Sequence, residues 1–341
     1  MTSRKLMFRA GSIVLNCGAG TAQFGLDRRW ALRLSHLRPG EIEWLQAAAS
    51  HAKPPASIAP RHQIAAHRVS EILATLSQAG VLLPNPVAPK AKPYLVSQIV
   101  AANPAAELPA LSALRPDGDG HQTLIRRAQS TVAITSANRL GAGLALLLAA
   151  AGVGRLLILD ASPVLPEDLV PYRAAHLGTA RCQAVKLLVA EVAPLAEVIT
   201  EGTPDVVISV EFGTQTSAYF GPLLSLATPH LPIATQEASA EIGPFVLPNN
   251  SACTHCLQLT RRNADEDWAG LITEVAETGA VGLETSVGVA AAGLAGAQVL
   301  SFLDGGRPAL LNRVATISAP DVIPALTEVA PHPDCGCVSL K

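Results

Sequence analysis

Apolar positions in the first part of the chain follow a two-residue period and then a helical one. SIVLN (12–16), TAQFGLD (21–27) and WALRLS (30–35) are short runs separated by Gly- and Asp-bearing breaks. In the last of them Trp30, Leu32 and Leu34 alternate with Ala31, Arg33 and Ser35, as in a half-buried strand. The pattern predicts three antiparallel strands. GEIEWLQAAAS (40–50) then opens with acidic residues, which suit the positive end of a helix dipole. Val69, Ile72, Leu73 and Leu76 fall at i, i+3, i+4 and i+7 before Gly80, predicting a second helix. Three strands with two or three helices predict a small winged-helix-like α+β module over residues 1–92.

PNPVAPKAKP (84–93) is rich in proline and has no helical period, so it reads as a linker. Residues 93–126 read as a connector, with a helix near Glu107 to Leu114 and a turn-rich PDGDG at 116–120. From residue 127 the period alternates between strand and helix. TVAITS (131–136) is a β-branched strand, LGAGLALLLAAAG (140–152) a helix and RLLILD (155–160) a buried strand ending in a carboxylate, which together make a βαβ unit. A helix over about 180–192 and strands at DVVISV (205–210), IATQ (233–236) and IGPFVL (242–247) extend it. An Ala/Gly-rich helix covers 281–304. The fold class predicted is α/β with a mostly parallel, Rossmann-like sheet.

Composition narrows the function classes. Of 341 residues 49% are hydrophobic but only 4% aromatic, so the core packs through Ala, Leu and Val. Lys and Arg number 25 against 27 Asp and Glu, a net charge of -2 that leaves no electrostatic footprint for nucleic acid. Two uncharged stretches invite a membrane reading. Leu140 to Gly154 is short for a span, and Thr285 to Leu303 carries Thr, Ser, Gln and three glycines, so both are read as buried helices. Arg9 interrupts any apolar run at the N-terminus, so no secretory signal is expected. A soluble cytoplasmic protein without membrane contact is the expectation.

Two constellations carry candidate chemistry. The first βα turn reads Ser136-Ala137-Asn138-Arg139-Leu140-Gly141-Ala142-Gly143, and Asp160 ends the second strand where a nucleotide fold holds ribose. The topology is right, but Asn138 and Arg139 replace glycines that would let a pyrophosphate approach, so a structural relic and a working site both stay open. Arg139 has the charge to contact an anion. The second constellation is Cys253-x-x-Cys256 with Cys335-x-Cys337, two tight pairs among six cysteines. Four thiolates suit structural zinc and leave no open position for catalysis. Unpaired free thiols are the alternative. Cys17 and Cys182 show no neighbouring base and read as incidental.

RLGAGLALLLAAAGVGRLLILD (139–160) resembles the nucleotide-binding segment of the ThiF/MoeB, ubiquitin-activating-enzyme-like superfamily, and the resemblance runs over 127–341. It implies a domain that adenylates the C-terminal carboxylate of a peptide or ubiquitin-like protein with Mg-ATP, often zinc-bearing and homodimeric. Carried over by position, Leu140, Gly141 and Asp160 are kept, whereas Ser162 stands where a second acid is expected. Pro171 stands at the phosphate-contacting Arg with Arg173 nearby, Arg181 replaces a Lys, and Glu211 is the nearest acid to the Mg-binding Asp. GPFVLPNNSACTHCLQLTRRNADEDW (243–268), HPDCGC (332–337) and QFGLDRRWALRLSHLRPGEIEWL (23–45) resemble a bacterial subgroup with an N-terminal peptide-recognition module. That subgroup includes the leader-peptide-binding scaffold partners of azoline cyclodehydratases. The resemblance implies a zinc-stabilised scaffold, a pseudoenzyme with a degenerate nucleotide site, that presents a peptide or small protein to a partner modifying enzyme. The alternative it implies is an ATP-dependent adenylyltransferase. Trp30 to Leu34 and Val69 to Leu76 are the expected peptide contacts. A DNA-binding winged helix would need a basic recognition helix beside Arg28, Arg29, Arg33 and Arg38, and there is none.

Overall fold

The computed structural model describes residues 6–9, 11–51, 53–84, 107–115, 117–215, 220–277 and 282–338. The chain divides into two compact units, Met1–Ile125 and Arg126–Lys341. Most of the proline-rich stretch read as a linker lies outside the described residues.

In the first unit β1 (Leu6–Phe8) pairs with β5 (Leu82–Pro84), while β2 (Val14–Asn16), β3 (Ala22–Phe24) and β4 (Leu32–Leu34) form an antiparallel sheet in sequence order. The three predicted strands are therefore present, each trimmed to its centre. Trp30 lies outside β4, 39% exposed, with the Arg29 guanidinium over its ring at 4.4 Å. Helices α1 (Pro39–Ser50), α2 (Pro55–Ile58) and α3 (Ala66–Gln78) supply Ile42, Trp44, Leu45, Ile58 and Leu76 to a core shared with Val14 and Phe24. Glu41 caps α1 by accepting from the Arg38 N–H at 2.9 Å and pairs with Arg68 at 2.8 Å, which satisfies its buried carboxylate. Helix α4 (Glu107–Leu114) falls where the connector helix was expected.

The second unit is built on an eight-stranded sheet. After α5 (Gly120–Gln129) come β6 (Thr131–Ile134), α6 (Arg139–Ala150), β7 (Arg155–Ile158), α7 (Arg181–Val192), β8 (Glu197–Ile199), β9 (Val206–Phe212), α8 (Phe220–Ser225), β10 (His230–Thr235) and β11 (Ser239–Ile242). Helices α9 (Thr254–Ala264), α10 (Trp268–Glu277) and α11 (Thr285–Leu303) and strands β12 (Arg313–Ser318) and β13 (Ala325–Glu328) complete it. The sheet order is β13-β12-β11-β10-β9-β6-β7-β8, parallel from β10 to β8 and antiparallel from β10 to β13.

Strand β6 is central because the chain leaves it first toward β7 and β8, then crosses back to β9 on its other side. The carboxyl ends of β6 and β9 thus form the switch point where doubly wound sheets hold ligands. One face of the sheet buries Val132, Ile134, Leu156, Ile208 and Val210 against α6, α7 and α11. A Cβ at Gly296 would sit 2.5 Å from Leu147, so the small residues of α11 are used for close packing on α6. That helix is long and apolar enough to cross a membrane by length and composition, yet Val287, Ala291, Ala295 and Val299 are buried in this core.

One strand expectation is corrected. IGPFVL was read as a strand at 242–247, but β11 ends at Ile242 and only isolated bridges from Phe245 and Val246 follow. Pro244 has no N–H to give a ladder, so the apolar run buries its side chains without extending the sheet.

Candidate functional sites: a filled corner and a four-cysteine centre

The corner lies at the carboxyl end of β6. Gly141 is there for packing: a Cβ at that position would come 1.9 Å from the Ser136 carbonyl oxygen. Close approach of α6 to the turn leaves its first amides pointing at the switch point, an arrangement that ordinarily receives phosphate. Here the chain's own oxygens receive them. The Ala137 N–H donates to Asp160 at 2.8 Å, the Arg139 N–H to Asp168 at 3.2 Å, and the Leu140 and Gly141 N–H groups to the Asn138 side-chain oxygen at 3.1 Å each.

The carboxylates are matched by cations. Asp160 also accepts from Ser136 Oγ at 3.3 Å, from the Ser162 N–H at 3.0 Å, from the Ser162 hydroxyl, and from Arg181 Nη1 at 3.2 Å. Burial raises the Asp160 pKa, but the Ser162 hydroxyl, the Ala137 N–H and Arg181 outweigh it and hold the carboxyl below its ordinary value. Asp168, 2% exposed, takes Arg181 Nε at 2.9 Å and Nη2 at 2.7 Å together with the Leu165 N–H at 2.9 Å. Tyr172 closes the corner from the same segment, donating its hydroxyl to the Ala137 carbonyl at 2.7 Å.

Of the residues singled out from sequence, the fold brings Arg139, Leu140, Gly141, Asp160 and Arg181 together. Arg173 stands apart on the surface, paired with Glu191 at 2.8 Å. Glu211 lies near the end of β9, level with Ala234 of β10 and Glu241 of β11, and Arg261 binds Glu241 at 2.7 Å. The Arg139 guanidinium donates to Thr285 Oγ1 at 2.8 Å and the Leu283 carbonyl at 3.2 Å, at the start of α11. Sequence reading passed over Asp168, Tyr172 and the capping role of Asn138. Only the last had a local signal, an Asn directly before a helical period.

The second site gathers the cysteine pairs. Cys253 precedes α9 and Cys256 lies in its first turn, so this pair starts a helix rather than forming a free-standing knuckle. The C-terminal stretch brings Cys335 within 3.5 Å of Cys253 and Cys337 within 3.4 Å of Cys256, sulfur to sulfur, while Cys253 and Cys256 are 3.9 Å apart. All four sulfurs lie within 4.8 Å of one another. A tetrahedral ion with ligand bonds of about 2.3 Å requires sulfur separations of about 3.8 Å, so the donor set fits a metal ion.

Val246, Ala252, Leu257, Val314 and Val329 pack around the cluster and bury three of its thiols, with Cys335 half-buried. Burial pushes the Cys253, Cys335 and Cys337 thiols up to about 12. At Cys256 burial acts the same way but is outweighed, chiefly by the His332 N–H donating to its sulfur at 3.2 Å, and its pKa falls. His255 is exposed, and the His332 ring meets Asn263 at 3.0 Å, so neither imidazole joins the sulfurs. Cys17 is exposed and Cys182 half-buried, both outside this cluster.

The mostly parallel sheet, with its switch point beside β6, is a Rossmann-like fold of the ThiF/MoeB type. No family model and no curated protein matches the chain. Among solved structures it is similar to the microcin C7 biosynthetic enzyme MccB in complex with N-formylated MccA, at a TM-score of 0.67 and 14% identity, covering 98% of this chain and 99% of that one. The structure of E. coli MccB with ATP gives a TM-score of 0.66 at 14% identity over 98% of this chain and 99% of that chain. PaaA is also similar, with a TM-score of 0.61 and 18% identity over 76% of this chain and 91% of that one.

Proposed function

We propose that this chain is a peptide-binding scaffold of ThiF type, held together at its C-terminal end by zinc, whose nucleotide corner is closed by its own side chains. The peptide or small protein it binds is presented to a partner enzyme. One observation carries the reading: the amides of Ala137, Arg139, Leu140 and Gly141 all donate to Asp160, Asp168 and Asn138. A triphosphate needs such groups and the cation beside them, and Arg181 is already shared between two carboxylates. Support for a peptide partner comes from MccB, solved with the MccA peptide and similar over nearly the whole chain. Cys253, Cys256, Cys335 and Cys337 would hold the zinc, which supplies a cross-link and no open coordination position.

An ATP-dependent adenylyltransferase is the second reading, favoured by the similarity to MccB with ATP. Pyrophosphate exchange into ATP separates the two. The scaffold reading expects no exchange and no calorimetric binding of Mg-ATP at about 1 mM, with or without peptides encoded beside the gene, whereas it expects one of those peptides to bind. Peptide-dependent exchange would overturn it. Elemental analysis of purified protein is expected to find one zinc per chain.

A further inference from the structure

We propose that Asp168 is a built-in anion: a carboxylate seated where an external oxyanion would otherwise bind, making the Pro163–Thr179 segment an autoinhibitory plug. The proposal rests on the corner being closed, and adds which group closes it and what opening it would admit. Three observations point to Asp168 rather than to Asp160. Asp160 ends the β7 path and is tied to Ala137, Ser136 and Ser162, all within its own strand-turn framework. Asp168 arrives from a separate segment, in the short 3-10 turn Pro166–Asp168, and reaches the first amide of α6 through the Arg139 N–H at 3.2 Å. It also takes the stronger share of Arg181, with both Nε and Nη2 inside 3.0 Å against a single contact of 3.2 Å to Asp160.

Two oxygens of a phosphate would make these same bonds, one to the amide at the helix N-terminus and the other to the two nitrogens of the guanidinium. Charge bookkeeping agrees. Arg139 and Arg181 against Asp160 and Asp168 leave the corner neutral, so a phosphate gains nothing from long-range attraction. Replacing Asp168 by a neutral residue turns the balance to +1 and removes the competing negative charge. Arg139 Nε is buried with no hydrogen-bond partner, while its Nη1 holds the start of α11. The Tyr172 hydroxyl bond to Ala137 is the segment's second latch and does not depend on charge. Neutralising Asp168 therefore alters the anion contact while leaving the segment tethered.

The ligand class is an oxyanion of phosphate, and inorganic pyrophosphate without metal is the probe. Calorimetric titration of the full chain is expected to show no binding at about 10 mM for the wild type and at least about tenfold tighter binding for Asp168→Asn. The double variant Asp168→Asn/Arg181→Ala is expected to lose that gain. Equal affinity of wild type and Asp168→Asn, including the absence of binding by both, would overturn the plug, as would a gain that survives loss of Arg181. Circular dichroism checks that the variant folds; if it does not, Asp168→Ser, with a small hydroxyl acceptor, carries the same expectation. Exchange of pyrophosphate into ATP by the wild type would overturn the scaffold reading and the plug together, whereas equal pyrophosphate affinity of variant and wild type without exchange would overturn the plug alone.

Discussion

The four-cysteine cluster and the corner at Asp160 are two buried polar assemblies in one unit, and they solve the problem of buried charge in opposite ways. The corner balances itself: two carboxylates, the Arg181 guanidinium and the turn amides satisfy one another at 2.7 to 3.2 Å. The cysteines bring sulfurs of one kind together with no cation among them, and burial drives three of the four thiols up to about 12. Buried polar groups need partners. A set that supplies them internally leaves few groups free for a ligand, whereas a set of like donors at tetrahedral spacing fits a metal ion, which would ionise the thiols it bound.

The widest contrast is in what removal of one member does. Cys256→Ser is expected to abolish zinc retention and to destabilise the second unit by at least about 3 kcal/mol, a fall of roughly 6–12 °C in Tm. Elemental analysis with a thermal melt reads both, and full zinc content in the variant would dissolve the contrast. Chelation of the wild type is expected to reproduce the same fall without any change of sequence.

In the corner, Asp160→Ala leaves Arg181 with one carboxylate and strips the acceptor from the Ala137 amide, an expected loss of about 3 kcal/mol with no change in metal content. The pH dependence follows from the direction of its shift. Because the folded Asp160 pKa lies below its unfolded value, the unfolded chain binds more protons between the two. Its contribution is therefore complete above the ordinary carboxylate value, about pH 4, and is lost as pH falls through the folded value. Urea midpoints of Asp160→Asn and wild type are expected to converge on acidification. A constant gap down to pH 2 would place the stabilisation elsewhere.

Gly141→Ala comes next in size. Its Cβ would meet the Ser136 carbonyl at 1.9 Å, forcing α6 away from the turn at an expected expense of about 2 kcal/mol. A melt unchanged from wild type would show that the turn relaxes freely and that the glycine serves ligand approach instead.

How much of this could be read from the chain itself depended on the range of the interactions. The βαβ unit was legible because β6, α6 and β7 each carry their own period, and the cysteine pairs were legible because spacing alone marks them. The short, fully exposed β13 has no apolar period and was missed. Asp168 was invisible for a different reason. Besides the neighbouring Leu165 N–H, its partners are an amide of α6 and a guanidinium of α7, so its own segment does not announce an anion seat. Arg173 has the charge and position that suggest a phosphate contact, and in the structure it pairs with the exposed Glu191.

That pair supplies the smallest and cleanest control. Arg173 and Glu191 are both more than one-third exposed, so solvent screens them and an exposed ion pair adds little. Arg173→Ala is expected to change stability by no more than about 0.5 kcal/mol, to leave zinc content unchanged and to leave pyrophosphate binding by Asp168→Asn intact. If Arg173 instead swung into the opened corner, that binding would weaken several-fold in Asp168→Asn/Arg173→Ala. The corner would then comprise a mobile cation as well as a fixed one, and its present neutrality would be a property of one arrangement of the Pro163–Thr179 segment rather than of its composition.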